Sequence, residues 1–201
     1  MIDSTNSLRT VSTASSIHDE ETTQKNAKYL IETITLILTE IIDDNQSREK
    51  NISSSSKNTL ILDLVENPNQ PKESKEPFTG TKVSLIPIIK FYERILKYTN
   101  AANNTLILSL IYLDRICEID TLQLKQINIH RLIIASIVIA IKYNEDDYYD
   151  NKFYSKVGGI PLDELLEIEE TFIKKINYTL FVKDEDFYKY QNYLYEYNKL
   201  Q

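Results

Sequence analysis

A chain of 201 residues with 42% hydrophobic and 26% charged residues has the composition of a folded globular protein, with one core and some appendages. Thirty acidic against 23 basic residues leave a net charge of −7, which argues against nucleic acid as the main partner. A single cysteine, Cys117, excludes an internal disulfide and a cysteine metal cluster; beside Ile116 on an apolar stretch it suits a buried, inert thiol.

Residues 1–22 are rich in Ser and Thr without apolar period and are expected to be a disordered tail. Met1 to Thr5 lack the basic and apolar regions of a signal peptide, so an intracellular protein is expected. From about Gln24 to Asn45, the spacing of Ala27, Leu30, Ile31, Ile34, Ile37, Leu38, Ile41 and Ile42 predicts an amphipathic helix. Ile52–Ser56 and the Pro-, Asn- and Glu-rich stretch Glu66–Pro77 have linker composition, with a short apolar patch at Leu60–Leu62 between them.

Five apolar helical segments follow. The first is expected from about Val83 to Tyr98, with Pro87 tolerable only near its first turn. The second runs from about Asn104, a plausible N-cap, through Ile116. The third starts near Asn128 and is apolar almost all round over Leu132–Ile141, which marks a buried central helix; that run is about half of what a membrane span needs. A short helix over Lys152–Val157 ends at Gly158-Gly159. The fifth opens with Pro161 in its first turn, followed by Asp163 and Glu164 where the helix dipole favours acids. A last helix over Asp184–Leu200 carries Phe187, Tyr190, Leu194 and Tyr197 at helical spacing. With glycine at 3, proline at 5 and no strand alternation in the core region, the fold is expected to be all-α, a small bundle around one hydrophobic helix.

Catalytic motifs are absent: the sequence holds no phosphate loop, dinucleotide fingerprint, nucleophile elbow or zinc-protease helix. A histidine metal site would need His18 together with His130, and His18 lies in the tail. Read as a calcium loop from Asn144, the acidic run puts Tyr149 where glycine belongs and Ser155 where the bidentate Glu belongs, so a solvated loop is favoured. The tyrosines at 188, 190, 193, 195 and 197 are interleaved with acids and read as a helix face, not as a platform for bases. Two charges fall on stripes that should be oily, Lys142 after Leu132–Ile141 and Glu169 between Leu165 and Phe172. Such charges are costly when buried alone and invite reading as partners. The alternative is a helix-end Lys142 held by the macrodipole and a Glu169 that reaches out to water.

These stretches resemble the cyclins, and among them the P-type or phosphate-pathway-like group. Leu106–Ile116, with Tyr112-Leu-Asp-Arg115, is similar to the cyclin-box helix-two motif ending in Tyr-Ile-Asp-Arg. Asn128–Tyr143 resembles that group's Asn-Val-His-Arg-Leu…Ala-x-Lys stretch, Tyr154–Ile160 its Tyr-Ala-Lys-Val-Gly-Gly segment, and Glu164–Glu169 its Glu-Leu-x-x-Leu-Glu. Pro77–Gly80, followed by Ile88 and Tyr92–Ile95, is similar to the approach to helix one. The resemblance implies a single five-helix cyclin box over 78–181, an extra N-terminal helix over 23–45, a linker over 46–77 and a C-terminal helix over 182–201.

The function it implies is binding, as the regulatory subunit that activates a cyclin-dependent protein kinase in a heterodimer. No cofactor, metal, nucleic acid or membrane is implied, and the location would be nucleus or cytoplasm. By the same resemblance, Lys142 and Glu169 pair with each other and contact the kinase backbone. Tyr143, Ile173, Tyr178 and Leu180 fall where cyclins place apolar kinase contacts. Ser84–Ile88 stands near the place of the Met-Arg-Ala-Ile-Leu signature of larger cyclins, so substrate docking through that patch is not expected. Residues 182–201 are too few for a second five-helix repeat, and no standard destruction box or proline-directed phosphorylation site is present. Two rival readings are a cyclin-fold scaffold that does not activate a kinase and a cyclin-fold transcription factor, the latter disfavoured by the acidic charge.

Overall fold

The computed structural model describes residues 6–55, 77–120 and 122–199, with side chains over 25–50, 77–119 and 122–197. These residues form seven helices and no strand: α1 (Asn6–Ser55), α2 (Ile88–Thr99), α3 (Asn103–Asp120), α4 (Ile129–Asn144), α5 (Asn151–Gly158), α6 (Leu162–Lys175) and α7 (Asp184–Lys199). The expected all-α architecture is the one observed.

α4 is the centre of the bundle, touching α2, α3, α5 and α6. Every residue from Leu132 to Ile141 is buried, so a helix apolar on all sides finds partners on all sides. Its isoleucines and valine have modest helix propensity, and burial outweighs that preference. Two serines enter this core, and each hydroxyl donates back into its own helix: Ser109 to the Leu106 carbonyl at 2.7 Å and Ser136 to that of Ile133 at 3.0 Å. That satisfies a buried polar group without a cross-helix partner.

α2 begins at Ile88, later than the expected Val83. Pro87 disfavours helical backbone at the residue before it, so Val83–Ile86 form a loop and Pro87 takes the N-cap position. At the other end Asn100 adopts φ 52°, and its N–H donates to the Leu96 carbonyl at 2.9 Å, a left-handed cap that asparagine tolerates. The Gly158-Gly159 break is as expected: Gly159 has φ 70°, and a Cβ on Gly158 would lie 3.0 Å from Cγ1 of Ile134. Pro161 N-caps α6, with Asp163 and Glu164 in the first turn and Lys174 and Lys175 in the last, each complementing the dipole.

α1 is far longer than the helix expected over 23–45. Its packed part carries Ile31, Ile34, Leu38 and Ile42, all buried, and rests on α2, α3 and α7. The helix passes through Asp43–Asn45, expected to end it, because Asn45 donates its amide to the Leu124 carbonyl at 3.1 Å, while Asp44 pairs with Arg48. It also takes in residues 6–22, read from sequence as disordered, and Ile52–Ser55, read as linker. Once packed turns have nucleated a helix, each added residue contributes a hydrogen bond at small further cost, even without an apolar stripe. The patch Leu60–Leu62 and the stretch Glu66–Lys75 lie outside the described residues.

Candidate functional site

Lys142 lies in the last turn of α4 and Glu169 near the middle of α6, and the two meet across the helix pair. Lys142 Nζ donates to Glu169 Oε1 at 2.5 Å. Asn151, the first residue of α5, donates from Nδ2 to Glu169 Oε2 at 2.8 Å, so each carboxylate oxygen has a donor. Both expected residues are therefore placed together, and the macrodipole-and-solvent alternative is set aside. Asn151 Oδ1 is buried with no partner among the described residues. A buried carbonyl oxygen with no donor costs about 1–3 kcal/mol unless something binds it.

Aromatic residues follow Asn151 on α5. Tyr154 is buried and takes the Tyr149 N–H on its hydroxyl at 3.1 Å; Tyr149 stacks on Phe153 at 4.1 Å. Burial first, and then neighbouring carboxylates including Glu169, push the Tyr154 phenol above its ordinary value, so it stays protonated.

The other residues singled out in the sequence differ in exposure. Tyr143 follows Lys142 and is about half exposed, while Tyr178 is 68% exposed. Ile173 and Leu180 are half-buried against the core. Tyr178 is displayed by an unusual turn: Asn177 and Tyr178 adopt φ 52° and 57°, and the Tyr178 N–H donates to the Ile173 carbonyl at 2.9 Å. Left-handed backbone is costly for a tyrosine, and the turn persists because α3 grips the segment after it. Tyr112 donates to the Leu180 carbonyl at 2.9 Å; Arg115 donates to the Thr179 and Phe181 carbonyls at 2.7 and 3.0 Å. Asp114 accepts from the Tyr190 hydroxyl of α7. The motif Tyr112-Leu-Asp-Arg115 thus fastens the α6–α7 segment.

Sequence reasoning missed Asn151 and Glu145. Glu145 Oε1 accepts from the Ala102 N–H at 2.9 Å and the Thr105 hydroxyl at 2.6 Å, so the loop after α4 caps the start of α3. No local spacing signals either contact. Asn151 looks only like a helix start, and Glu145 stands 40 residues from the hydroxyl it holds. Cys117 is half-buried, and burial followed by Asp114 and Glu118 pushes its thiol up to about 12, consistent with an inert group.

A single box of five helices around a buried helix, with a Lys–Glu pair bridging its third and fifth members, is the architecture of a cyclin box. The cyclin family profile matches residues 28–180, and the chain belongs to the cyclin family. The match begins within α1 and not at residue 78, which agrees with the burial of the isoleucines of α1 in the same core. The chain is 35% identical over 174 residues to PHO85 cyclin-like protein psl1 of Schizosaccharomyces pombe, covering 84% of this chain and 68% of that protein. It is 30% identical over 183 residues to PHO85 cyclin-7 of Saccharomyces cerevisiae, covering 84% and 60%, and 32% identical to Cyclin-P3-1 of Oryza sativa over 68% and 56%. The chain therefore spans between 56% and 68% of the length of these relatives. No described helix is long and apolar enough to cross a membrane.

Proposed function

We propose that this cyclin binds and activates a cyclin-dependent kinase as the regulatory half of a heterodimer, in the nucleus or cytoplasm. The chain contributes no catalytic group of its own in this reading. The observation that carries it is the Lys142–Glu169–Asn151 cluster on a cyclin box, with a buried acceptor still open on Asn151 and with Tyr143 and Tyr178 exposed.

A kinase is active only when the helix carrying its conserved Glu is turned in to pair with the ATP-site Lys. A partner that binds only that arrangement shifts the population toward it. Raising the active state from about 1% to about 99% takes roughly 5.5 kcal/mol of differential binding. Lys142 would donate to kinase backbone carbonyls, while Glu169 and Asn151 Oδ1 would accept from backbone N–H groups. Tyr143, Ile173, Tyr178 and Leu180 would supply the apolar contacts around them, the usual division between polar register and apolar anchors. The names of two fungal relatives, PHO85 cyclin-like protein psl1 and PHO85 cyclin-7, point to a kinase of that type as the partner.

The test is affinity purification of the tagged chain from its native cell, followed by kinase assays on the complex and on the kinase alone. A cyclin-dependent kinase should co-elute, and its activity should rise with added chain. A stable complex without stimulation would instead support the scaffold reading.

A further inference from the structure

A pocket of about 140 Å³ lies among α1, α3 and α7, and it shares no lining residue with the Lys142–Glu169 cluster. Four side-chain carboxamides meet in it: Asn26 from α1, Asn103 and Asn104 from the start of α3, and Gln191 from α7. Each offers two donors and an acceptor. None of the four side chains has a hydrogen-bond partner among the described residues. The three helices are remote in sequence, so only the fold gathers this unused capacity in one place.

The charge of the lining decides the class of ligand. No Asp, Glu, Lys, Arg or His is among the described residues that line the pocket, although 26% of the chain is charged. The start of a helix draws an anion. At α3 that role is already filled by Glu145, which accepts from the Ala102 N–H and the Thr105 hydroxyl. A second anion would meet that carboxylate's charge without a cation in the lining, and a cation would find no lining carboxylate. The ligand that fits is uncharged and carries both donors and acceptors.

The rest of the lining sets its shape. Leu30, Ile107 and Leu194 give the pocket an apolar side. Tyr29 and Tyr195 stand together with ring centroids 6.3 Å apart. At that spacing the two rings touch each other, so no flat base slots between them. The walls are held in place, since Tyr197 of α7 donates to Glu40 of α1 at 2.5 Å and Tyr190 of α7 to Asp114 of α3. The volume, about that of four or five waters in the liquid, suits one small ring and not a length of chain. We propose that this pocket binds an uncharged polyhydroxylated ring, a single sugar or cyclitol. Its hydroxyls meet the carboxamides, and its C–H face packs on the apolar side and the tyrosine wall.

The purified chain should be titrated by saturation-transfer NMR with glucose, galactose, mannose and myo-inositol, beside glucose 6-phosphate and glucuronate as charged counterparts. At least one neutral ring should bind saturably, and at least about tenfold more tightly than either charged counterpart, since the lining offers an ion no partner. Asn104→Ala and Gln191→Ala should each weaken that binding by about fivefold, the loss of one net hydrogen bond. Asn104 is exposed and Gln191 half-buried, and they stand on different helices, so the core is left intact. Circular dichroism on the same samples checks that it is. No saturable binding by any of the four neutral rings would overturn the proposal. So would charged counterparts that bind as tightly, or binding that survives both substitutions.

Discussion

Arg131–Glu164 and Lys142–Glu169 both bridge α4 to α6 at 2.5 Å, and their cations stand about three turns apart on α4. Their surroundings differ. Arg131 also holds the Pro77 carbonyl, so its pair ties the segment before α2 to the bundle and is completed within the chain. Among the described residues, Lys142 has one partner, Glu169 has an Asn at its second oxygen, and that Asn leaves a buried acceptor unanswered. The side chains of the first pair are 19% and 37% exposed, those of the second 27% and 11%. In the second, the acid is the buried member, with unused hydrogen-bonding capacity near the surface. Equal ion-pair geometry thus serves closure at one end and, in our reading, recognition at the other.

The sharpest way to break that contrast is to place a charge among the apolar residues on one side of it. Ile173→Asp should abolish kinase activation, because an ionised carboxylate desolvated at an interface without a partner costs several kcal/mol, well above a neutral polar group. Circular dichroism of the same preparation should show helicity largely retained, since Ile173 is only half-buried. Lost helicity would move the residue into the core.

Removing one acid or cation at each end comes next. Glu169→Ala should cost about 2–3 kcal/mol of stability by chemical denaturation and weaken kinase affinity about a hundredfold, because it strands Lys142 and Asn151 together. Arg131→Ala should cost about 1–2 kcal/mol, since Glu164 is freer to meet water, and should leave kinase affinity unchanged. A double-mutant cycle on Lys142→Ala and Glu169→Ala should show coupling of about 1 kcal/mol or more; strictly additive losses would mean that the pair does not form in solution.

How much of this was legible in the sequence depends on the range of the interaction. The central helix, the start of α6 at Pro161 and the Gly158-Gly159 break follow from periodicity and turn chemistry, and the meeting of Lys142 with Glu169 was invited by charges out of place on oily stripes and implied by the family resemblance. The Arg131–Glu164 pair left no such mark: both residues sit where charged side chains are unremarkable, and only the fold brings them together. Asn151 was invisible for the same reason, since an Asn at a helix start is what capping alone would produce. The extent of α1 was misread because composition marks where a helix packs, while cooperative propagation sets where it ends.

The smallest expected effect belongs to Asn151. Asn151→Ala removes the unanswered acceptor together with one donor to Glu169, so stability should change by no more than about 1 kcal/mol. Kinase affinity should still fall several-fold, because the acceptor is one a partner would have used. Unchanged affinity would detach Asn151 from the recognition face and leave it a purely internal support.

The most direct test of the account is activation of the co-purified kinase by the Lys142→Ala, Glu169→Ala double variant beside Arg131→Ala, at matched concentrations of folded protein. The account predicts that the double variant fails to stimulate the kinase while Arg131→Ala stimulates it as the unaltered chain does. Full stimulation by the double variant, or loss with Arg131→Ala alone, would place the kinase-binding face at the other end of the helix pair.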